Sequence, residues 1–250
     1  MDRRFQMLLL ALLLAAPGLV SAAAPGVKLE SSGADVSNEA SLQRGARLYM
    51  NYCAGCHSLQ YVRYNTLADG LGLTDDQVAE NLRFTGTSPH EQIRIAMPAE
   101  DAAGWFGLAP PDLSLIARSR GTDYVFTFLK SFYADPGSRA TGANNMVLAG
   151  TAMPHVLWEL QGIQEAVYRQ ETGADGTTRE VFDRFELVRP GSMTPEEFDQ
   201  AARDITAFLS WAAEPMQVER KRLGTLVLLF LLVLFAFSYL YYKELWKDVK

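Results

Sequence analysis

Cys53-Ala54-Gly55-Cys56-His57 is the stretch from which the rest of this chain is read. A C-x-x-C-H run is the attachment signature of a c-type haem, in which two thiols bond to the porphyrin vinyl groups and the adjacent imidazole ligates the iron. Two intervening residues let one turn present both sulfurs to the same porphyrin edge while the next side chain swings under the metal. Cys53 and Cys56 are the only cysteines among 250 residues. Three plainer readings compete. A thioredoxin-like redox pair wants its C-x-x-C inside a βαβ pattern, whereas a helical stretch leads into this motif and no strand does. A structural zinc site wants four ligands, and the other candidates, His90 and His155, lie far apart in sequence. A disulfide between residues three apart would add little to a chain of this length.

Upstream, a helix is expected from about Ser41 into the motif, with Leu42, Ala46, Tyr49 and Met50 on one side and Gly45 offering a place for close backbone approach. At the other end of the domain, Thr194-Pro195-Glu196-Glu197 reads as a helix start: Thr194 as N-cap, Pro195 at the first helical position, Glu197 closing a capping box. Phe198, Ala201, Ile205, Phe208, Leu209 and Ala212 then recur at the spacing of one buried face, and Glu214-Pro215 ends the run. A small helical haem domain needs such a pair, crossing beside the cofactor. Between them, residues 60 to 110 read as loops and short helices, with Thr74-Asp75-Asp76-Gln77 a helix start, and residues 117 to 133 hold a helix, Tyr124-Val125-Phe126-Thr127-Phe128-Leu129. Gly173-Ala174-Asp175-Gly176 suggests the turn of a hairpin between Tyr168 and Val188, although the alternation there is poor. The fold class expected is mainly α: a c-type cytochrome domain with loop and small β-hairpin insertions, plus one C-terminal transmembrane helix.

The two ends set the compartment. Met1-Asp2-Arg3-Arg4, the apolar run Met7 to Ala16 and the small residues Val20-Ser21-Ala22-Ala23-Ala24 have the three-part form of a secretory signal. Leu223 to Tyr242 is 20 residues without a charge, the length a helix needs to cross ~30 Å of hydrocarbon. Arg220, Lys221 and Arg222 bracket one end, and Tyr239, Tyr241, Tyr242 and Trp246 form an aromatic belt at the other. The division expected is a signal peptide at 1–22, a periplasmic c-type haem domain at 23–219, a transmembrane helix at 220–243 and a cytoplasmic tail at 244–250. Residues 23–219 carry 15 Lys and Arg against 26 Asp and Glu, a net of −11. That field favours cationic partners and speeds their encounter at low salt. It argues against nucleic acid, which needs a basic face.

A c-type haem used for electron transfer commonly takes a methionine as sixth ligand, which raises its potential. Met50 is too near the attachment site to reach the opposite face, Met193 and Met216 flank the terminal helix, and Met146 follows a Gly-Ala-Asn-Asn stretch read as flexible. Met97 and Met153 are left, each followed by a proline that holds the preceding residue extended. Residue chemistry alone leaves both open.

Taken together, Cys53-Ala54-Gly55-Cys56-His57-Ser58, Ala109-Pro110-Pro111-Asp112-Leu113-Ser114, Ala152-Met153-Pro154-His155-Val156-Leu157-Trp158, Phe208-Leu209-Ser210-Trp211-Ala212-Ala213-Glu214-Pro215 and the single C-terminal span resemble the cytochrome c1 family in its bacterial form. The likeness runs over nearly the whole chain after residue 22. It implies the haem subunit of the ubiquinol:cytochrome c oxidoreductase, carrying one haem c bound covalently through Cys53 and Cys56. It also implies His57 and Met153 as iron ligands, and Pro110 and Pro111 lining the haem on the histidine side, where a backbone carbonyl can hold the imidazole N–H. Arg120 matches a residue near a haem propionate, and Tyr124 is a second contact of the same kind. The partners implied are cytochrome b and a Rieske iron-sulfur subunit, with a soluble or membrane-bound cytochrome c as acceptor, in a dimeric complex of the bacterial inner membrane. Two other classes stand beside this one: a stand-alone membrane-anchored cytochrome c, and a haem enzyme or sensor with an open sixth site.

Overall fold

The computed structural model describes residues 27–137, 141–172 and 177–248. In chain order it contains α1 (Glu39–Tyr52), β1 (Leu59–Arg63), α2 (Tyr64–Gly70), α3 (Asp75–Asn81), β2 (Gln92–Ile93), α4 (Ala99–Phe106), α5 (Ile116–Arg120), α6 (Thr122–Lys130), β3 (Phe132–Ala134), β4 (Ala143–Asn145), α7 (Trp158–Gln161), β5 (Gly162–Thr172), β6 (Thr178–Pro190), α8 (Pro195–Ala213) and α9 (Gln217–Leu245). The expected signal segment lies outside the described residues.

The start of α1 is set by Asn38, whose side chain accepts from the Ser41 amide at 3.1 Å, and its last turn runs directly into Cys53. The start of α8 is the expected capping box: Thr194 accepts from the Glu197 amide and Glu197 accepts from the Thr194 amide. The same device opens α3 with Thr74 and Gln77. Helices α1 and α8 cross where Gly45 lies against Asp204. A Cβ on Gly45 would stand 2.1 Å from the Asp204 carbonyl oxygen and 2.8 Å from Phe208 Cβ. The Asp204 carboxylate, almost fully buried, accepts a bidentate pair from Arg44 at 2.6 and 2.9 Å, with Ser41 Oγ at 2.5 Å and Gln200 Nε2 at 2.8 Å. A charge in such a place is tolerated because its oxygens are all engaged. Around the crossing the core gathers Leu42, Ala46, Tyr49 and Met50 from α1, Ile205, Phe208, Leu209 and Trp211 from α8, and Leu59, Val62 and Leu67 from the segment after the motif.

The helix expected within residues 117 to 133 is α6, which carries Tyr124 to Leu129. Gly121, at φ +89° and ψ 153°, separates α5 from α6, and the chain turns into β3 after Lys130. That conformation is open to glycine and strained for other residues, so the apolar periodicity continues through a break in the backbone. The hairpin is longer than expected: β5 and β6 pair antiparallel from Gly162↔Pro190 to Thr172↔Thr178, with the turn residues 173–176 outside the described set. Register shifts at Ile163/Gln164 and Val167/Tyr168 explain the poor alternation, since each bulge swaps the faces on which successive side chains stand. Short pairs β1–β2 and β3–β4 also form, which the pattern did not announce.

Residues before α1 run along α6 as a strap. The Glu30 amide donates to Thr127 Oγ1 and the Ser32 amide to Asp123, both at 2.8 Å. Lys130 then bridges Glu30 at 2.5 Å and Asp199 of α8 at 2.9 Å. Helix α9 has a mean hydropathy of 2.5 over its most apolar window and no part of that window is buried within the chain. Its 29 residues reach about 44 Å at 1.5 Å per residue, enough for one membrane crossing.

Gly45→Ala puts a methyl into the Asp204 backbone, which cannot yield as a side-chain end could. The expected outcome is a loss of about 3 kcal/mol, read as a lower thermal midpoint and less haem-loaded protein in membranes.

Candidate haem attachment site

The motif begins at Cys53, the C-cap of α1. Tyr49 O accepts from both Cys53 N (2.8 Å) and Ala54 N (2.9 Å), and Cys53 O then accepts from Cys56 N (3.0 Å) and His57 N (2.8 Å). This tight turn brings the two thiols and the imidazole within one loop. Both cysteines are free, Cys53 buried and Cys56 partly exposed. Burial, with the neighbouring Cys56 adding to it, pushes the Cys53 thiol up to about 12. A redox pair of the thioredoxin kind has the opposite setting, a lowered thiol pKa at a helix N-terminus.

His57 is buried, and its Nδ1 lies 2.7 Å from the Pro111 carbonyl oxygen. A carbonyl only accepts, so Nδ1 carries the proton and the Nε2 lone pair is left free. Burial holds the imidazole below its usual pKa, with the Pro111 bond and Asp112 acting the other way. A neutral ring with a pinned Nδ1–H is the form that ligates a metal. The donor set therefore fits a covalently bound haem: two unpaired thiols and one neutral imidazole oriented from behind.

The Pro110-Pro111 segment is itself fastened to the residues after the motif. Asp112 accepts from Ser114 N and from Gln60 N, each at 2.9 Å, Leu113 N donates to Ser58 O at 2.9 Å, and Tyr61 N to Ser114 Oγ at 3.1 Å. The two strands of chain flanking His57 are thus laced together, and the carbonyl that meets its ring has a fixed position. Asp112 and Ser114 belong to a stretch singled out from sequence, but their work as fasteners was not read there; the Asp-x-Ser turn is the signal that could have shown it.

The remaining candidates fall into one row. The Arg120 guanidinium lies over the Tyr124 ring at 5.6 Å, Tyr124 stacks on Phe128 at 6.2 Å, Phe128 meets Phe132 edge-on at 5.2 Å, and Phe132 stacks on His155 at 5.1 Å. Arg120 and Tyr124 are thereby connected to the loop of Met153, two residues before His155. That loop is braced by Asn144 and Asn145, both buried. Asn145 Oδ1 accepts from Val147 N and Leu148 N at 2.9 and 3.2 Å, its Nδ2 donates to Phe128 O at 2.8 Å, and Asn144 Oδ1 accepts from Gly150 N at 2.8 Å. The Gly-Ala-Asn-Asn stretch read as flexible is strand β4 and the anchor of this loop. Met97 and Met153 are both half-buried.

A helix-borne C-x-x-C-H turn with a carbonyl-oriented imidazole, in a domain that continues into one apolar helix, defines a membrane-anchored c-type cytochrome. The cytochrome C1 family matches residues 32–249. A cytochrome c1 of Allochromatium vinosum is 48% identical over 98% of this chain and 99% of its own length. A Nitrosomonas europaea protein named ammonia monooxygenase gamma subunit is 38% identical over 99% of each chain, and the mitochondrial cytochrome c1 haem protein of Saccharomyces cerevisiae is 33% identical over 85% of this chain and 68% of its own. The chain belongs to the cytochrome c1 family, whose members are electron-transfer proteins with one covalently attached haem c.

Asp112→Ala removes the acceptor for two backbone amides and frees the Pro111 carbonyl to move. The expected cost is about 1 to 2 kcal/mol, seen as a lower midpoint in thermal melts followed at the haem absorbance, whereas Asp112→Asn, which keeps one carbonyl acceptor, falls between it and the parent.

Proposed function

We propose that this chain is the electron-transfer haem subunit of a ubiquinol:cytochrome c oxidoreductase, the cytochrome bc1 complex, taking one electron at a time from the Rieske iron-sulfur subunit and passing it to a cytochrome c. It assembles with cytochrome b in a dimeric complex of the bacterial cell membrane, with α9 as its single span and the haem domain on the periplasmic side. The observation that carries the reading is the 2.7 Å contact between His57 Nδ1 and the Pro111 carbonyl, which leaves one lone pair of a buried neutral ring for iron.

When bound, haem supplies a one-electron ferric/ferrous couple, so the protein needs no bond-making residues of its own. The chain's contribution is positional. Cys53 and Cys56 would hold the porphyrin covalently, and His57 and Met153 would ligate its iron. Support for Met153 over Met97 comes from tethering: the Ile95 amide, two residues before Met97, donates to Ser58 Oγ at 3.0 Å, which ties that segment beside His57 itself. Arg120, with Tyr124 beneath it, is free of carboxylate partners among the described residues and suits a propionate. The export signal expected at residues 1–22, followed by one span, supports the periplasmic orientation. The net of −11 over residues 23–219 supports a cationic acceptor.

Met153→Leu is expected to lower the reduction potential sharply and abolish the sulfur-to-iron charge-transfer band of the ferric protein, while Met97→Leu leaves both alone. Rapid carbon monoxide binding by the ferrous parent at neutral pH would remove Met153 from the iron. In stopped flow, electron transfer to a basic cytochrome c should slow steeply as ionic strength rises; a flat profile would sink the steering argument.

A further inference from the structure

We infer that Tyr49 is a positioning residue for the axial histidine, its hydroxyl clasping the His57 carbonyl and so fixing where the imidazole stands. The inference rests on the reading of His57 as an iron ligand. Tyr49 is fully buried in α1, one turn before the motif, and its hydroxyl donates to His57 O at 2.5 Å. The ring that carries this hydroxyl is not free to wander. It packs on Phe208 with centroids 5.5 Å apart, and Phe208 in turn stacks on Trp211 at 5.9 Å, so helix α8 sets the position of the phenol.

His57 is consequently held from four directions. Its amide is bound to Cys53 O at 2.8 Å, its ring to Pro111 O at 2.7 Å, its carbonyl to Tyr49, and the next residue to Leu113 N and Ile95 N through Ser58. The ring bond governs rotation of the imidazole about its own side chain. The carbonyl bond governs something else: the tilt of the peptide that follows His57, and with it the direction in which Cα presents the side chain. Without the hydroxyl, that tilt is set from the Ser58 side alone, and the α1–α8 crossing loses its only polar link to the ligand's backbone among the described residues. A rival role is purely local, in which the His57 carbonyl merely satisfies a buried phenol. The two differ in whether the iron senses the change.

Tyr49→Phe keeps the ring and its packing and removes the donor. In the purified membrane complex, the low-temperature electron paramagnetic resonance signal of the ferric haem reports the plane of the axial imidazole through its largest g value. The expected result is a shift and broadening of that feature, together with a changed midpoint potential in a redox titration. Val78→Ala, at a buried position of α3, is the control, lowering thermal stability with the g value kept. If Tyr49→Phe lowers the thermal midpoint while signal and potential match the parent, the clasp is overturned and Tyr49 is structural. Should Tyr49→Phe fail to accumulate, 3-fluorotyrosine at position 49 keeps ring and hydroxyl while strengthening the donor. A displaced g value then supports the clasp, and an unmoved one rejects it. Electron–nuclear double resonance on the parent, with histidine labelled by nitrogen-15, separates this from the underlying reading: absence of a coupling from a labelled histidine nitrogen would overturn His57 as ligand whatever Tyr49 does.

Discussion

The close approach of α1 to α8 at Gly45 is the constraint on which the rest of the domain depends. With no Cβ at Gly45, the Asp204 backbone comes within a distance that any side chain would forbid. That contact brings three polar groups of α1 and α8 onto one buried carboxylate, and it sets Phe208 against Tyr49. Large apolar faces alone would let two helices slide past one another at little cost, because dispersion and hydrophobic contact are not directional. A glycine notch and a bidentate Arg44–Asp204 pair remove that freedom. The residues two turns further on are Cys53 to His57, so the register of the crossing becomes the register of the site.

This ordering explains what could be read from the sequence and what could not. Helices α1 and α8, the capping residues Thr74 and Thr194 and the membrane helix were all legible, because each rests on local chemistry or on a long period of apolar residues. Gly45 could be singled out as a place for close approach. Its partner Asp204 could not, since an aspartate between Arg203 and Ile205 looks like a solvated helix position until the opposing helix is known. The break at Gly121 was hidden for a different reason. The apolar residues on either side keep helical spacing, and only the positive φ shows that two short helices share it. In the hairpin, bulges erased the alternation that sequence reading depends on.

The site itself divides in the same way. The identities of Cys53, Cys56 and His57 are written in a contiguous motif, and Pro110-Pro111 stood out by likeness. The parts that hold them are long-range hydrogen bonds with no sequence period: Asp112 across to Gln60, Leu113 to Ser58, Asn145 to Phe128, Tyr49 to His57. Each uses a common residue type whose role is created by the partner. Asn144-Asn145 shows how far such a reading can be off, since residues that favour turns in isolation form a strand and brace a loop once their amides find backbone partners.

The position of the motif on its helix also separates two chemistries that share a spacing. At a helix N-terminus, the free amides and the positive end of the macrodipole favour a thiolate, and C-x-x-C there becomes a redox pair. Here the motif follows the C-terminal turn of α1, at the negative end of the macrodipole. The first cysteine is buried, and its thiol is pushed up to about 12. Such a thiol stays protonated at neutral pH and is a poor nucleophile for exchange, the opposite of a redox-active C-x-x-C thiol.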